Sequence, residues 1–539
     1  MTGGIFAAPS IVLEAANELA ARSRGRVEVS TEPFYLRATD VRERRRVGIV
    51  SGGGSGHEPM HSGYLGPGGL DAVAPGAVFA SPHNHQIFAA AKAAARAEGV
   101  LLVVKNYTGD RINFSIAAER LRHEGVPVAT VVVDEDVASR SAGIGGRGTA
   151  ATVLVEKILG AAADTGAGLV ELQQLGDRVV AASRSLGVAF RAQTVAASGE
   201  VAFALDPGEV EYGVGIHGER GARQRRAEDL RALVDEMVED LLASLGEHGD
   251  LVLLVNNLGG MTELEVAALT VAARGALEAS GARLASVVAG RYCTALDMRG
   301  CSLTVLRADP DFLPHLFAGH GTEALPTPEP WLGEPSALPT EARPTAAVSR
   351  AVSVGLERLE ADVRAWQGLL GDLDRAAGDG DFGDNLLAGV LAAGTRSGSD
   401  LDRLAGGFLD GVGGTSGPLF GLLFQELASA DDWRAGLGAA ATAIARVGDA
   451  RLGDRTLLDA LVPAAVTAAA GADSDAVVRS ALDGAIATTR MRASRGRAVY
   501  LEDRVLGSAD PGAVGVVLVL QWLAGTDLPI QVDELRAAD

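Results

Sequence analysis

Through residues 1–321, short apolar runs alternate with Ala-rich stretches of mixed polarity. Residues 47–50 (VGIV), 100–104 (VLLVV), 126–133 (VPVATVVV) and 251–255 (LVLLV) are brief and rich in β-branched side chains. That combination predicts buried strands. Residues 86–97 and 116–123 lie between them and predict helices. The alternation implies an α/β domain with mostly parallel sheets, in two sub-domains that divide near residues 180–200. Residues 347–539 read differently. Long Ala/Leu segments (349–370, 433–446 and 476–489) are separated by glycine loops, with no convincing alternating strand. An all-α helical bundle with functional loops at one end is expected there. Between the two parts, residues 322–346 (TEALPTPEPWLGEPSALPTEARPTA) are rich in proline and acids, and predict a stiff linker. The domains are thus 1–321, the 322–346 linker, and 347–539.

Composition narrows the possibilities. Of 539 residues 47% are hydrophobic but only 4% aromatic, so Ala, Val, Leu and Gly must fill the cores. The net charge is −21, which argues against nucleic acid as a partner. The basic run 42–46 (RERRR) is short and flanked by Asp40, and reads as a solvated surface turn before a phosphate-backbone contact. Cys293 and Cys301 are too few for a disulfide framework or a zinc site and read as buried thiols. The N-terminus has no basic n-region and carries Glu14, and no stretch approaches 18 uninterrupted apolar residues. A soluble, cytoplasmic protein with no membrane partner is the expectation.

Candidate chemistry sits in the glycine loops. Residues 52–59 (GGGSGHEP) follow the VGIV strand and offer exposed backbone N–H groups. His57 stands where G-x-G-x-x-G needs glycine, and no Gly-Lys-Ser/Thr follows, so neither dinucleotide nor P-loop chemistry is supported. Two readings remain: a tight turn with a capping histidine, or a loop that presents His57 to take a proton. Residues 105–110 (KNYTGD) place Lys105 and Asp110 at the carboxyl end of a neighbouring strand, where α/β proteins bind ligands; a surface ion pair is the alternative. In GVGIHGERG (213–221), His217 is flanked by small residues that cannot crowd it. In LDRAAGDGDFGDN (373–385), Asp374, Asp379, Asp381 and Asp384 crowd together, as a hard cation such as Mg²⁺ requires, or as acids capping a helix would. The EF-hand pattern fails, with Gly383 at the fifth position from Asp379 and Val390 at the twelfth. GGTSGP (413–418) can donate to phosphates, and DPGA (510–513) by itself is only a turn.

Taken in order, GGGSGHEP, NYTGDRINF, RGTAATVLV, GIHGE, NNLGG, LDMRGCSLT, GDGDFGDN, GGTSGPLFG, GDRTLLDAL and, over residues 497–513, RAVYLEDRVLGSADPGA resemble the single-chain dihydroxyacetone kinase family over nearly the whole chain. The resemblance implies a ketone-binding first domain and a second, eight-helix barrel that binds Mg-ATP. It implies that His217 bonds covalently to the substrate carbonyl as a hemiaminal, with His57 as general base and Asp110 its partner on the reacting hydroxyl. Gly54, Ser55, Gly56 and Lys105 match substrate-site positions, and Asp374, Asp379 and Asp381 match the Mg²⁺ ligands. Phe382, Gly383, Asp384, Asn385, Thr415, Ser416, Gly448, Leu457, Arg497, Asp510, Pro511 and Gly512 match positions around the nucleotide. The fused second domain implies ATP as phosphoryl donor, and a homodimer is expected. The chain departs from the family at SPHNHQ, with His83 and His85, and at GDRTLL, where Arg455 and Leu457 replace the usual GDKTM. A four-carbon ketose such as erythrulose therefore stands beside dihydroxyacetone and glyceraldehyde as a substrate. A regulatory homologue without catalysis and a cyclising FAD-AMP lyase are the competing readings.

Overall fold

The computed structural model describes residues 10–140, 145–195, 198–227, 229–334, 354–495 and 497–536. The chain divides into two compact units at residues 335/336.

The first unit holds two six-stranded sheets. One comprises β1 (Val27–Thr31), β2 (Phe34–Ala38), β3 (Gly48–Ser55), β4 (Ala72–Val78), β5 (Val100–Lys105) and β6 (Val128–Val133), in the order β1-β2-β4-β3-β5-β6. The other comprises β7 (Ser183–Arg191), β8 (Glu209–Tyr212), β9 (Arg223–Arg226), β10 (Asp250–Asn257), β11 (Arg283–Gly290) and β12 (Arg299–Arg307), in the order β11-β10-β12-β7-β8-β9. Its helices are α1 (Ile11–Arg22), α2 (Asn84–Ala94), α3 (Thr108–His123), α4 (Ala151–Asp164), α5 (Leu169–Ala181), α6 (Leu230–Leu245), α7 (Glu263–Ala279) and the short α8 (Leu313–Leu316).

Parallel pairing dominates the centre of the first sheet, where β4, β3, β5 and β6 run together. The second sheet departs from the parallel expectation: only β10 and β11 are parallel, and β12, β7, β8 and β9 pair antiparallel. The physical reason lies in the connections. A parallel crossover needs a dozen residues or more, usually a helix, and among the described residues no helix separates β7 from β8, β8 from β9, or β11 from β12.

Helix α4 touches β3 of one sheet and β7 of the other, so almost every one of its positions is buried. A helix covered on nearly every side is largely apolar, and in α4 Glu156 and Lys157 are the buried charged exceptions. One core joins the inner sheet faces around α4 and α5. The outer face of the first sheet packs on α2 and α3, and that of the second on α6 and α7.

The proline-rich stretch is not free-standing at its start. Leu325 is buried, the Ala324 and Trp331 amides donate to Gly63 and Ala285, and Ser286 donates to the Glu329 carbonyl at 2.7 Å. Residues 322–334 therefore belong to the first unit, and 335–346 lie outside the described residues. The basic run is an exposed turn, as expected, at every residue but one. Arg45 is buried, with Nη1 2.6 Å from Asp71 and Nη2 2.7 Å from Asp164, so it ties the segment to α4. Cys293 and Cys301 are free and buried, and burial pushes both thiols up to about 12.

The second unit is built from α9 (Val354–Arg375), α10 (Phe382–Ala393), α11 (Asp400–Gly411), α12 (Ser416–Ala428), α13 (Trp433–Gly448), α14 (Leu458–Ala469), α15 (Ser474–Ala487) and α16 (Pro511–Ala524). Each helix packs on the next, and α16 returns onto α9, closing a ring around its own core. Short connections make most successive helices antiparallel, and the long 488–510 connection brings its own ends together, the Asp510 amide donating to Thr488 Oγ1 at 2.8 Å. The α9–α10, α11–α12, α13–α14 and α15–α16 connections therefore share one end of the ring. No described helix is long and apolar enough to cross a membrane.

Candidate functional site

In the first unit, three elements meet at one place. Strand β3 is buried throughout and ends in the glycine run. At Gly53 a Cβ would land on the Lys105 ammonium, and at Gly56, with φ +101°, it would lie 2.8 Å from the Phe79 ring. Glycine is what lets this loop approach its neighbours. Strand β5 delivers Lys105, which is fully buried, and the first turn of α3 carries Asp110.

His57 and His217, 160 residues apart in sequence, face each other with their Nε2 atoms 3.1 Å apart. His57 Nδ1 stands 2.8 Å from the Thr294 carbonyl oxygen and must donate to it. A neutral His57 then accepts at Nε2, so His217 donates its Nε2–H. His217 Nδ1 is buried without a hydrogen-bond partner.

The surroundings keep both rings neutral. Burial lowers His57 well below the ordinary imidazole value, with the nearby His217 and Lys105 acting in the same direction. Burial, Lys105 and Arg147 lower His217 to about 3. Phe79 stacks on His57 with centroids 5.4 Å apart, and Tyr107 meets His217 edge-on at 4.3 Å. The His217 loop is clamped from behind. Glu219 accepts the His217 amide at 3.0 Å, while Arg147 bonds both Glu219 at 3.0 Å and the Gly213 carbonyl at 2.7 Å. Two facing neutral imidazoles, one of them oriented by a carbonyl, have the geometry that covalent catalysis uses for a nucleophile and its base.

The other residues expected at this site divide. Asp110 is buried and its Oδ1 has no partner, and its charge acts on His61. Ser55 is buried and donates to the Gly76 carbonyl at 2.7 Å, and a Cβ at Gly54 would meet the Phe79–Ala80 backbone. His83 is a helix cap, its Nδ1 accepting from the Gln86 amide at 3.3 Å, and His85 stacks beside it.

In the second unit, Asp374 ends α9 and Asp381 begins α10, with Asp379 in the turn between them. All three offer a carboxylate oxygen within 4.8 Å of one another. Asp374 is anchored, its Oδ2 accepting the Gly380 and Phe382 amides at 3.0 and 3.2 Å. Three hard oxygen donors on an ordered turn fit a cation such as Mg²⁺, which keeps several waters. Asp384 turns elsewhere, accepting from Gln367 at 2.6 Å, and the Phe382 ring is in the core against Phe420.

Residues 374–385, the 413–418 loop, 448–457 and 510–512 occupy the four connections at one ring end. The N-termini of α10, α12, α14 and α16 converge there, and helix N-termini favour phosphate. Thr415 precedes α12 without a side-chain capping bond, and Gly448 closes α13. Asp510 caps α16 through the Ala513 amide at 2.8 Å, and desolvation pushes its carboxyl up to about 6 against the pull of Arg455. A Cβ at Gly512 would rest on Leu457. Arg455 is buried, its Nη2 donating to the Val505 and Ser508 carbonyls at 3.3 and 2.9 Å, with Nε and Nη1 unpaired. Arg497 opens the segment Arg497–Val505.

Sequence reasoning missed Thr294, His61, Glu156, Phe79, Tyr107, Arg147 and Glu219. His61 follows His57 by four residues, and Glu156 stands beside Lys157 in the middle of a largely apolar helix; those were the available signals.

A two-unit architecture with a paired-imidazole site in the α/β unit and an acidic, helix-capped site in the helical ring defines the class. The chain belongs to the family that joins a Dak1 domain, matched over residues 17–324, to a DAK2 domain, matched over 376–525. It is 37% identical over 521 residues to the triokinase/FMN cyclase of Bos taurus, covering 88% of this chain and 90% of that one. It is 32% identical over 522 residues to the L-erythrulose 1-kinase of Mycolicibacterium smegmatis, covering 88% and 91%. The crystal structure of the C. freundii dihydroxyacetone kinase in complex with AMP-PNP and Mg²⁺ matches with a TM-score of 0.64 at 30% identity, over 96% of this chain and 98% of that one.

Proposed function

We propose that this chain is an ATP-dependent kinase of a small carbonyl sugar, a ketose of the dihydroxyacetone or erythrulose type or the aldose glyceraldehyde, that holds its substrate as a hemiaminal on His217. The observation that carries the reading is the pair of neutral imidazoles 3.1 Å apart beside Lys105, His57 buried and His217 partly so. The named activities of the relatives support it.

In this reading the ring N–H of His217 adds across the ketone. The Nε2 proton passes to His57, the Nε2 lone pair forms the C–N bond, and the C=O π bond opens. His57 then returns the proton to the former carbonyl oxygen, so atoms and charge balance. Only a carbonyl carbon accepts such a bond, which selects ketoses over polyols such as glycerol. With the adduct fixed, His57, with Asp110, takes the proton of the terminal hydroxyl as it attacks the γ-phosphate. Phosphoryl transfer asks little more of a protein than alignment and charge screening. Mg²⁺ held by Asp374, Asp379 and Asp381 would supply that screening. The ring-end loops with Thr415, Ser416, Gly448, Leu457 and 510–512 would hold the nucleotide. Cytoplasmic residence and a homodimer belong to the same reading.

Incubating the protein with ATP, Mg²⁺ and a panel of ketoses, with glycerol as control, tests the proposal. Ketose-dependent ADP release with little response to glycerol is expected, and equal kcat/KM for glycerol and the best ketose would overturn it. Cyclisation of a flavin nucleotide is a second reading, favoured by the name of the Bos taurus relative. FAD in place of ketose, with Mg²⁺ or Mn²⁺, separates the two.

A further inference from the structure

We propose that Glu156 and His61 are positioning residues that hold the Lys105 ammonium against the glycine loop of the ketose site, an inference that rests on the ketose-kinase reading above. Lys105 Nζ lies 2.8 Å from His61 Nε2 and 3.4 Å from the Gly52 carbonyl. His61 Nδ1 lies 2.6 Å from Glu156 Oε1 and 3.1 Å from Ser51 Oγ. All four side chains are buried.

The chemistry gives this chain a direction. A carboxylate can only accept, so His61 donates its Nδ1–H to Glu156, and its Nε2 lone pair is turned to Lys105. Ser51 sends its own hydroxyl proton to the Val103 carbonyl at 3.0 Å and does not compete for that lone pair. The imidazole therefore relays between a buried cation and a buried anion that do not touch. A buried ion without a counter-charge is costly, and Glu156 supplies that charge from inside the apolar helix α4.

The ammonium held this way fills the space that a Cβ would take at Gly53. It also reaches the reacting pair, since its charge lowers both His57 and His217. A polar cluster that served only to specify the core would have no reason to end on the buried lysine of the site. Helix α4 packs on both sheets, so the relay references the Lys105 position to the middle of the unit rather than to a loop.

A double-mutant cycle on the full-length protein tests this. Glu156→Gln keeps shape and an acceptor but removes the charge, and Lys105→Met removes the ammonium. Each should raise the KM for dihydroxyacetone about 10- to 100-fold, the worth of a charge-assisted hydrogen bond, with the KM for ATP unchanged. The double variant should be no worse than Lys105→Met alone. Losses that multiply, or Glu156→Gln with a wild-type ketose KM, would overturn the proposal. If Glu156→Gln does not fold, the two His61 variants decide. Asn at this position can still donate to Glu156 but falls short of Lys105, whereas Gln can still accept from Lys105. His61→Asn should therefore lose as much as Lys105→Met, and His61→Gln should retain more. Equal losses would overturn the relay. Adduct formation, followed by the carbonyl ¹³C signal of [2-¹³C]dihydroxyacetone, should track KM through the series. Its absence in the wild type would strike the ketose-kinase reading itself and the relay with it.

Discussion

The Thr294 carbonyl and the His57 imidazole are joined at 2.8 Å across 237 residues of sequence, and the bond fixes which nitrogen of His57 can receive a proton. Because Nδ1–H is committed, His57 is a base only through Nε2, the atom that faces His217.

His217→Ala should therefore abolish the ketone adduct and raise the ketose KM at least ~100-fold, since it removes a covalent contact. His57→Asn should leave a nucleophile without its base: adduct formation slows, while binding of nucleotide is unchanged. Rapid-mixing ¹³C NMR with [2-¹³C]dihydroxyacetone distinguishes slow from absent adduct. Full-rate adduct formation in His57→Asn would remove His57 from the addition step.

Acid should weaken the first unit through the same residues. His217 titrates near 3 when folded against ~6.5 when unfolded. Below pH ~6.5 the unfolded chain binds a proton that the folded one refuses, so stability is fully present above that value and falls as pH drops toward 3. The slope from this group approaches about 1.4 kcal/mol per pH unit. The groups that set it are the desolvating walls, Lys105 and Arg147. Denaturant unfolding at pH 7 and pH 5 should show a smaller pH loss for His217→Asn than for the wild type. Identical losses would contradict the assigned burial.

Asp510 predicts the opposite sign in the helical ring. Its folded carboxyl titrates at about 6, above the unfolded value, so the ionised form is the disfavoured one in the folded state. Its unfavourable contribution at neutral pH should fade as pH falls through 6. Asp510→Asn keeps a side-chain oxygen for the α16 cap and should flatten this part of the profile in calorimetric melts of the second unit.

Asp379→Asn and Asp381→Asn each remove a charge from the carboxylate group at the ring end. Turnover should fall by orders of magnitude, and titration calorimetry should show weakened Mg-ATP binding, while the ketone adduct on His217 forms normally. Unchanged Mg-ATP affinity in both variants would make the turn a helix cap and nothing more.

Cutting the chain near Ser336, after residues 322–334 have been left with the first unit, should give two soluble pieces. The first should form the adduct without nucleotide, and the second should bind Mg-ATP alone. Neither should phosphorylate a ketose, and mixing should restore part of the activity. The loss at low concentration reflects the missing tether, which supplies an effective concentration of about millimolar. Turnover by one piece alone would refute the division of labour.

Much of this was legible in the residues because the strongest signals are local. The runs 47–50, 100–104, 126–133 and 251–255 fall in or beside β3, β5, β6 and β10, since a short β-branched apolar run has few other places to go. The second sheet begins at Ser183, inside the window expected for the sub-domain division. What escaped was long-range. Antiparallel pairing of β12 with β10 and β7 depends on connection lengths rather than strand composition. The place of Arg45 in the core depends on Asp164, 119 residues away. At the site, His57 and His217 stood out through their glycine neighbours, whereas Thr294 contributes a backbone oxygen that any residue could have offered. Glu156 was visible only as an acid in an apolar stretch, and nothing nearby says which base it meets.

The parity of the helical ring also sets where the second unit can be re-engineered. The α10–α11, α12–α13 and α14–α15 connections, at residues 394–399, 429–432 and 470–473, lie at the end opposite the aspartates and the DPGA turn. Reporter peptides, affinity tags or new chain termini grafted there would be a helix length from the proposed nucleotide site. The same grafts in the 413–418 or 449–457 loops would land on it. One end of the ring is free for a bioengineer, and the other carries the aspartate turn and the loops proposed for the nucleotide.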